Sequence, residues 1–249
     1  SVYLLSGRSK DVLDRWFGDL NVGLVAEHGC DFRPPGLPSW EPLVGLHDPA
    51  WRDGVIPILQ YFCERTPGSS LELKDKIITW HFRDADPTFG SWQAKELQLH
   101  LAESCMNLPV EVVSGPKYLE LRPVGVTRVA AIQRIVAEFT DPKLDFIFAM
   151  GSDKGDEDVF SYLNTYVRDP EGVCITMCCH VGKTDITAAD RYVPDVDTAF
   201  KVLKEMAPAA STPPVKKAAW NVGPAANSNI SSPAVTGNHE STAQGSSQS

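Results

Sequence analysis

Four acids within six residues, Asp153, Asp156, Glu157 and Asp158, follow an apolar run from Phe146 to Met150 that ends at Gly151. Carboxylates delivered at the end of a buried strand are the oxygen ligands that a hard divalent cation takes. The same acids also suit the first turn of a helix, where negative charge is favourable. Two other strand ends carry polar groups: Ser6-Gly7-Arg8 and Ala26-Glu27-His28-Gly29. Arg128 stands at a helix start, where backbone N–H groups favour anions. An α/β sheet gathers its ligands at the carboxyl ends of its strands, so hydroxyl, arginines and acids would converge on one edge. That set suits phosphoryl transfer with Mg²⁺, the hydroxyl and cations holding phosphate oxygens and the acids holding the metal.

These groups need elements to hold them. VYLLSGR reads as a buried strand ending in a turn. SKDVLDRWFGDL follows as a helix with Ser9 as N-cap and Val12, Leu13, Trp16, Phe17 and Leu20 on its apolar face. VGLVAEHG is another short strand, and strand–helix–strand opens an α/β sheet. DFRPPGLPSWEP is irregular, and WRDGVIPILQYFCERT is helical with an interruption or kink near Pro57. SSLELKDKIITWHFR alternates as one strand or a hairpin, a helix starts at about Ser91, and VEVVSGPKYLELRP gives two strands around Ser114-Gly115-Pro116. This β-rich block interrupts an α/β rhythm that then returns. A helix capped by Thr127 packs Val129, Ile132, Val136 and Phe139 inward. After it come the strand LDFIFAMG, the helix DEDVFSYLNTYV and the strand GVCITMCCHVG. A closing helix, DVDTAFKVLKEM, carries Phe200 and Leu203 on its apolar side. Residues 207–249 are mostly Ala, Ser, Pro, Asn, Thr and Gly and read as a disordered tail.

Composition narrows the class. The chain has 249 residues, 43% hydrophobic and 22% charged, enough for one large domain or two small ones. A net charge of -9 argues against nucleic-acid or anionic-membrane partners, while leaving room for a local basic phosphate pocket. No apolar run reaches the length of a membrane helix, and no signal-peptide pattern is present, so a cytoplasmic location is expected. The chain enters a strand directly at Ser1, which reads as a fragment with its upstream part missing. The six cysteines are irregularly spaced, and CITMCCH reads as a buried apolar strand rather than a metal cluster.

The stretches LLSGRSKDVLDRWFGDLNVGLVAEHGC, ITWHFRDADPTFGSWQAKELQLHL, LELRPVGVTRVAAIQRI and MGSDKGDEDVF together resemble trehalose-6-phosphate phosphatase domains of the haloacid dehalogenase superfamily, over about residues 2–206. Their variant features resemble the C-terminal, phosphatase-like half of plant and algal trehalose-6-phosphate synthases. The resemblance implies an α/β, Rossmannoid core of residues 1–30 and 123–206 with its N-terminal strand missing. It also implies an α+β, sugar-recognising cap of residues 31–122 and the tail of residues 207–249. The implied chemistry is Mg²⁺-dependent hydrolysis of trehalose 6-phosphate to trehalose and phosphate, within trehalose biosynthesis. The implied partner is an upstream synthase (glycosyltransferase) domain in the same polypeptide.

Residue by residue, Ser6 matches the phosphate-binding serine, with Arg8 beside it on the substrate side. Glu72, Lys74, Arg83 and Glu120 match cap positions that hydrogen-bond sugar hydroxyls. His81, Asp84 and Asp86 read as structural, and Glu27 and His28 are left undecided. Three departures stand out. The family nucleophile is the first Asp of an Asp-x-Asp-Gly-Thr strand, and no such sequence occurs in this chain, so as it stands it is not expected to turn over. Arg128 replaces the usual Lys, keeping the charge but not the shape. Ser152 replaces the first Mg²⁺-binding Asp, which leaves Asp153 and Asp156 with a weak hydroxyl ligand. Two functions follow: an active phosphatase once the strand is restored, or a catalytically degenerate domain of a synthase that binds the sugar phosphate or regulates the synthase.

Overall fold

Polypeptide order alternates strands and helices, as the hydrophobic pattern requires. A computed structural model describes residues 1–43, 50–139, 144–166, 174–184 and 186–207. The tail expected over residues 207–249 lies outside these residues except for Ala207. The first part contains β1 (Tyr3–Leu5), α1 (Lys10–Phe17), β2 (Gly23–Ala26), β3 (Asp31–Arg33) and β4 (Glu41–Pro42). The middle contains α2 (Trp51–Arg65), β5 (Ser70–Leu73), β6 (Ile78–His81), α3 (Pro87–Ser104), β7 (Val110–Gly115) and β8 (Tyr118–Pro123). The last part contains α4 (Arg128–Glu138), β9 (Phe146–Gly151), α5 (Lys154–Thr165), β10 (Ile175–Val181), β11 (Arg191–Val193) and α6 (Val196–Met206). Ser1–Lys204 forms one compact unit.

Three sheets result. One has the order β1-β2-β3-β4, with β1 parallel to β2 and β3 antiparallel to it. A second, β11-β10-β9, is wholly parallel. The third, β5-β6-β8-β7, is antiparallel. Helix α4 ties the first two together. Its buried Ala131 and Ile135 pack with Val25 and Phe32, and Ile132 touches both that cluster and the one around Phe160 and Cys178. Among the described residues, β1 pairs only with β2 and β9 only with β10, so each keeps one unpaired side. The third sheet lays Ile78, Trp80, Leu119 and Leu121 against Leu59, Phe62, Leu97 and Leu101 of α2 and α3. Burying each such side chain is worth about 1.5–3 kcal/mol, so this layer carries its own core.

Several expectations are corrected. Helix α3 begins at Pro87, four residues before Ser91, because Asp86 caps it by accepting from the N–H groups of Thr88 and Phe89. Helix α2 runs through Pro57 unbroken, since losing one backbone bond is offset by the buried flank Val55, Leu59 and Phe62. The stretch expected to be irregular contributes β3 and β4 to the sheet of β1 and β2. Strand β11 carried no clear periodicity and was not foreseen. Trp16 and Leu20 face outward while Leu13 alone on α1 is buried, because α1 packs on Leu4, Leu24 and Ala26 of the sheet along one narrow face. On β10 of the three-stranded sheet, Cys178 and Cys179 are buried as expected, but Ile175 and Met177 are exposed, in the part of the strand that β9 pairs and β11 does not reach. The same narrow sheet covers Ala199 and Val202 of α6 and leaves Phe200 and Leu203 out.

Candidate functional site

The carboxyl ends of β1 and β2 interlock. The N–H of His28 donates to the Ser6 carbonyl at 3.0 Å, and that of Glu27 donates to the Arg8 carbonyl at 3.0 Å. The Ser6 hydroxyl accepts the Arg8 N–H at 3.1 Å, so its own proton is free to donate. The Arg8 side chain is exposed. Glu27 and His28 both adopt left-handed backbone, φ 46° and 58°, a conformation costly for residues with a Cβ. Two placements offset the cost. The fully buried Glu27 carboxylate accepts the N–H groups of Asp75, Lys76 and Ile77 at 3.0–3.1 Å, anchoring the β5–β6 turn to the strand end. Hydrogen bonds to a charged acceptor are worth about 1.5–3 kcal/mol each. His28 is sent the other way, with its ring over Gly7, where a Cβ would stand 2.4 Å from Nε2.

The anionic end is built at the start of α5. Asp153 is the N-cap and Asp156 the third helical residue, and each carboxylate accepts the other's backbone N–H. Gly151 makes this possible, because a Cβ there would meet the Asp156 carboxylate at 2.2 Å. Arg128 lies across both acids. One terminal nitrogen donates to Asp153 Oδ1 and Asp156 Oδ1 at 2.5 Å, and the other to Asp153 Oδ2 at 2.7 Å. That second nitrogen also lies 3.4 Å from His28 Nδ1, while the buried Nε–H has no partner. Burial pushes the Asp153 carboxyl up, but the hydrogen bonds and charge of Arg128 outweigh it and hold it below its ordinary value. Ser152 is exposed and engages through its backbone N–H, which donates to Asp156 Oδ2 at 2.7 Å.

This donor set does not fit Mg²⁺. A hard cation takes about six oxygen ligands, at least one of them a free carboxylate. Here both aspartates are spent on Arg128 and on backbone N–H groups, and no group of three or more His, Cys, Asp or Glu among the described residues could hold a metal ion.

The polar end lies on the third sheet. Register places Glu72, Thr79 and Glu120 in one row across β5, β6 and β8, on the face opposite Trp80 and Leu119. Glu72 Oε2 sits 2.9 Å from His81 Nε2 and 3.5 Å from Lys74 Nζ. Thr79 is buried with its hydroxyl unpartnered, and Glu120 is 4% exposed and 3.5 Å from His28 Nε2. Burial raises the Glu120 carboxyl despite the nearby Lys74, Arg122 and Arg128. Burial, and then the charge of Arg128, pushes His28 down to about 4, so at neutral pH this contact involves a neutral imidazole.

The structure therefore gathers Arg128, Asp153 and Asp156 at one end and Glu72, Lys74 and Glu120 at the other. Ser6 is joined through the His28 backbone. Arg83 is exposed in the turn after β6 and makes no ion pair among the described residues, and Arg8 and Ser152 are also exposed. Sequence reasoning left Glu27 and His28 undecided and did not single out Thr79. The available signal was Gly29 closing a polar strand end, but only the folded chain shows that His28 spans both ends.

The family model for trehalose-phosphatase matches residues 1–197. The chain is 41% identical over 150 residues to alpha,alpha-trehalose-phosphate synthase (UDP-forming) A of Dictyostelium discoideum, a match covering 60% of this chain and 20% of that protein. The solved C-terminal domain of Candida albicans trehalose-6-phosphate phosphatase superposes with a TM-score of 0.73 at 30% identity, covering 84% of this chain and 79% of that one. A haloacid dehalogenase-like hydrolase from Bacteroides thetaiotaomicron shares the fold at 12% identity, with a TM-score of 0.57 and 82% and 86% coverage. The chain spans about a fifth to a quarter of the length of the curated relatives it matches.

Proposed function

The chain belongs to the trehalose-phosphatase family, with the haloacid dehalogenase-like fold, and from that premise we propose that its 249 residues bind trehalose 6-phosphate without hydrolysing it. The observation that carries this reading is His28, whose two ring nitrogens lie 3.4 Å from Arg128 and 3.5 Å from Glu120. One imidazole thus spans an anionic-motif end and a polar row suited to sugar hydroxyls. Glu72 and Glu120 accept hydroxyl protons, Lys74 donates, and the unpartnered Thr79 hydroxyl can do either. The Ser6 hydroxyl, with its proton free, donates to a phosphate oxygen, and exposed Arg8 supplies positive charge nearby.

Hydrolysis by the family route needs a carboxylate nucleophile from an Asp-x-Asp-Gly-Thr sequence, which these residues lack. Within this reading the chain is a sugar-phosphate-sensing part of a synthase polypeptide, in trehalose biosynthesis and in the cytoplasm. No helix among the described residues is long and apolar enough to cross a membrane. A second reading, hydrolysis with a carboxylate supplied from another strand, draws on one observation. Among the described residues, one side of β1, one side of β9 and the Arg128 Nε–H all lack a neighbour.

Calorimetry with trehalose 6-phosphate, trehalose and inorganic phosphate tests the binding. The expected result is tighter binding of trehalose 6-phosphate than of either part, lost by about 10- to 100-fold in Glu120→Gln and Lys74→Ala. A phosphate-release assay should stay at background. Absence of binding sinks the proposal, and turnover abolished by Arg128→Ala establishes the second reading instead.

A further inference from the structure

We infer that Arg128 is the resident cation of the Asp153/Asp156 pair and that this site takes no divalent metal. Every oxygen of the two carboxylates already has a donor. Asp153 Oδ1 accepts from Arg128 and from the Asp156 N–H, and Asp153 Oδ2 accepts from Arg128. Asp156 Oδ1 accepts from Arg128, and Asp156 Oδ2 accepts from the N–H groups of Ser152 and Asp153. A metal ion could enter only by displacing the guanidinium, and Arg128 is 9% exposed, so displacement would leave a buried cation without its partners.

The side-chain chemistry is specific to arginine. A planar fork reaches two oxygens of one aspartate and one of its neighbour at once, which a lysine ammonium, as a single point charge, does not. Gly155 leaves the space: a Cβ there would already stand 3.4 Å from Arg128 Cδ and Cζ. Ser152 completes the change, since the position offers a hydroxyl and a backbone N–H but no third carboxylate. Arg128 and Ser152 thus act together, the arginine supplying the positive charge and the serine offering no competing carboxylate. One guanidinium against two carboxylates also leaves this pair with a net charge of about -1, so it holds the helix start in place and leaves the phosphate of the proposed ligand to Ser6 and Arg8.

The test uses Mn²⁺ alone, monitored by its paramagnetic resonance signal, with Mg²⁺ as competitor. It involves no sugar phosphate, so it stands or falls separately from the proposed ligand. The expected result is no Mn²⁺ bound by the 249-residue chain more tightly than about 1 mM, and an unchanged melting temperature between EDTA and about 5 mM Mg²⁺. The paired variant Arg128→Gln/Ser152→Asp frees both acids and adds a third, and should bind Mn²⁺ at least about tenfold more tightly. If that variant does not fold, the unmodified chain still decides. One Mn²⁺ bound in the micromolar range and lost in Asp153→Asn overturns the inference. Binding that survives both Asp153→Asn and Asp156→Asn places the ion elsewhere and leaves the inference standing.

Discussion

At the residue scale the site turns on His28, whose half-buried ring lies between a guanidinium and a carboxyl. Its pKa lies at about 4, down from 6.5, because burial and Arg128 both oppose a second positive charge. The unfolded chain takes up this proton as pH falls through about 6.5, whereas the folded chain does not until about 4. In that window the unfolded state binds more protons, so stability falls as pH falls. Glu27 and Glu120, whose carboxyls are raised, act with the opposite sign just above the ordinary carboxylate range. Comparing the wild type with His28→Gln isolates the imidazole. Between about pH 6.5 and pH 4.5 the wild type should lose about 2 kcal/mol more stability than the variant, measured by urea titration at each pH. Equal acid sensitivity in both proteins would rule out a neutral buried ring. The types of Glu72, Lys74, Glu120, Arg128, Asp153 and Asp156 were legible in the sequence because charged residues at strand and helix ends imply chemistry. The role of His28 was not, because its two contacts lie 92 and 100 positions away.

At the element scale α4 joins two sheets that share no strand pairing among the described residues. Its apolar spacing was readable, and Thr127 caps it as expected by accepting the Ala130 N–H. The spacing could not show that Ile132 serves two clusters at once. Ile132→Ala should therefore cost about 2 kcal/mol and lower hydrogen-exchange protection in both β2 and β10. Loss confined to one sheet would show that α4 supports only that sheet. Starts of helices were legible where the cap residue was read together with what followed it. Asp86-Pro87 was such a signal, an N-cap followed by proline at the first helical position, and reading Ser91 instead passed over it.

At the scale of the whole molecule, the sides of β1 and β9 left unpaired among the described residues are its most consequential feature. Parallel strands are ordinarily buried on both faces and paired along both edges. Here β1 and β9 present apolar, uncharged residues such as Leu4, Leu5, Ile147 and Phe148 beside unpaired backbone groups. Self-association that rises with concentration is expected, and light scattering after size exclusion measures it. A monodisperse monomer at about 100 µM, together with a single cooperative melt, would rule it out. By itself the sequence determined the α/β rhythm, the β-rich layer between the two parallel parts, the family and the absence of a nucleophile motif. These follow from local periodicity and from short motifs, which need no knowledge of distant contacts. Only the tertiary structure decided that β3 and β4 join the first sheet, that Glu27 anchors the β5–β6 turn, and that Arg128 occupies both aspartates. Each depends on groups far apart in sequence meeting at hydrogen-bond distance, and that geometry is set by packing the layers together.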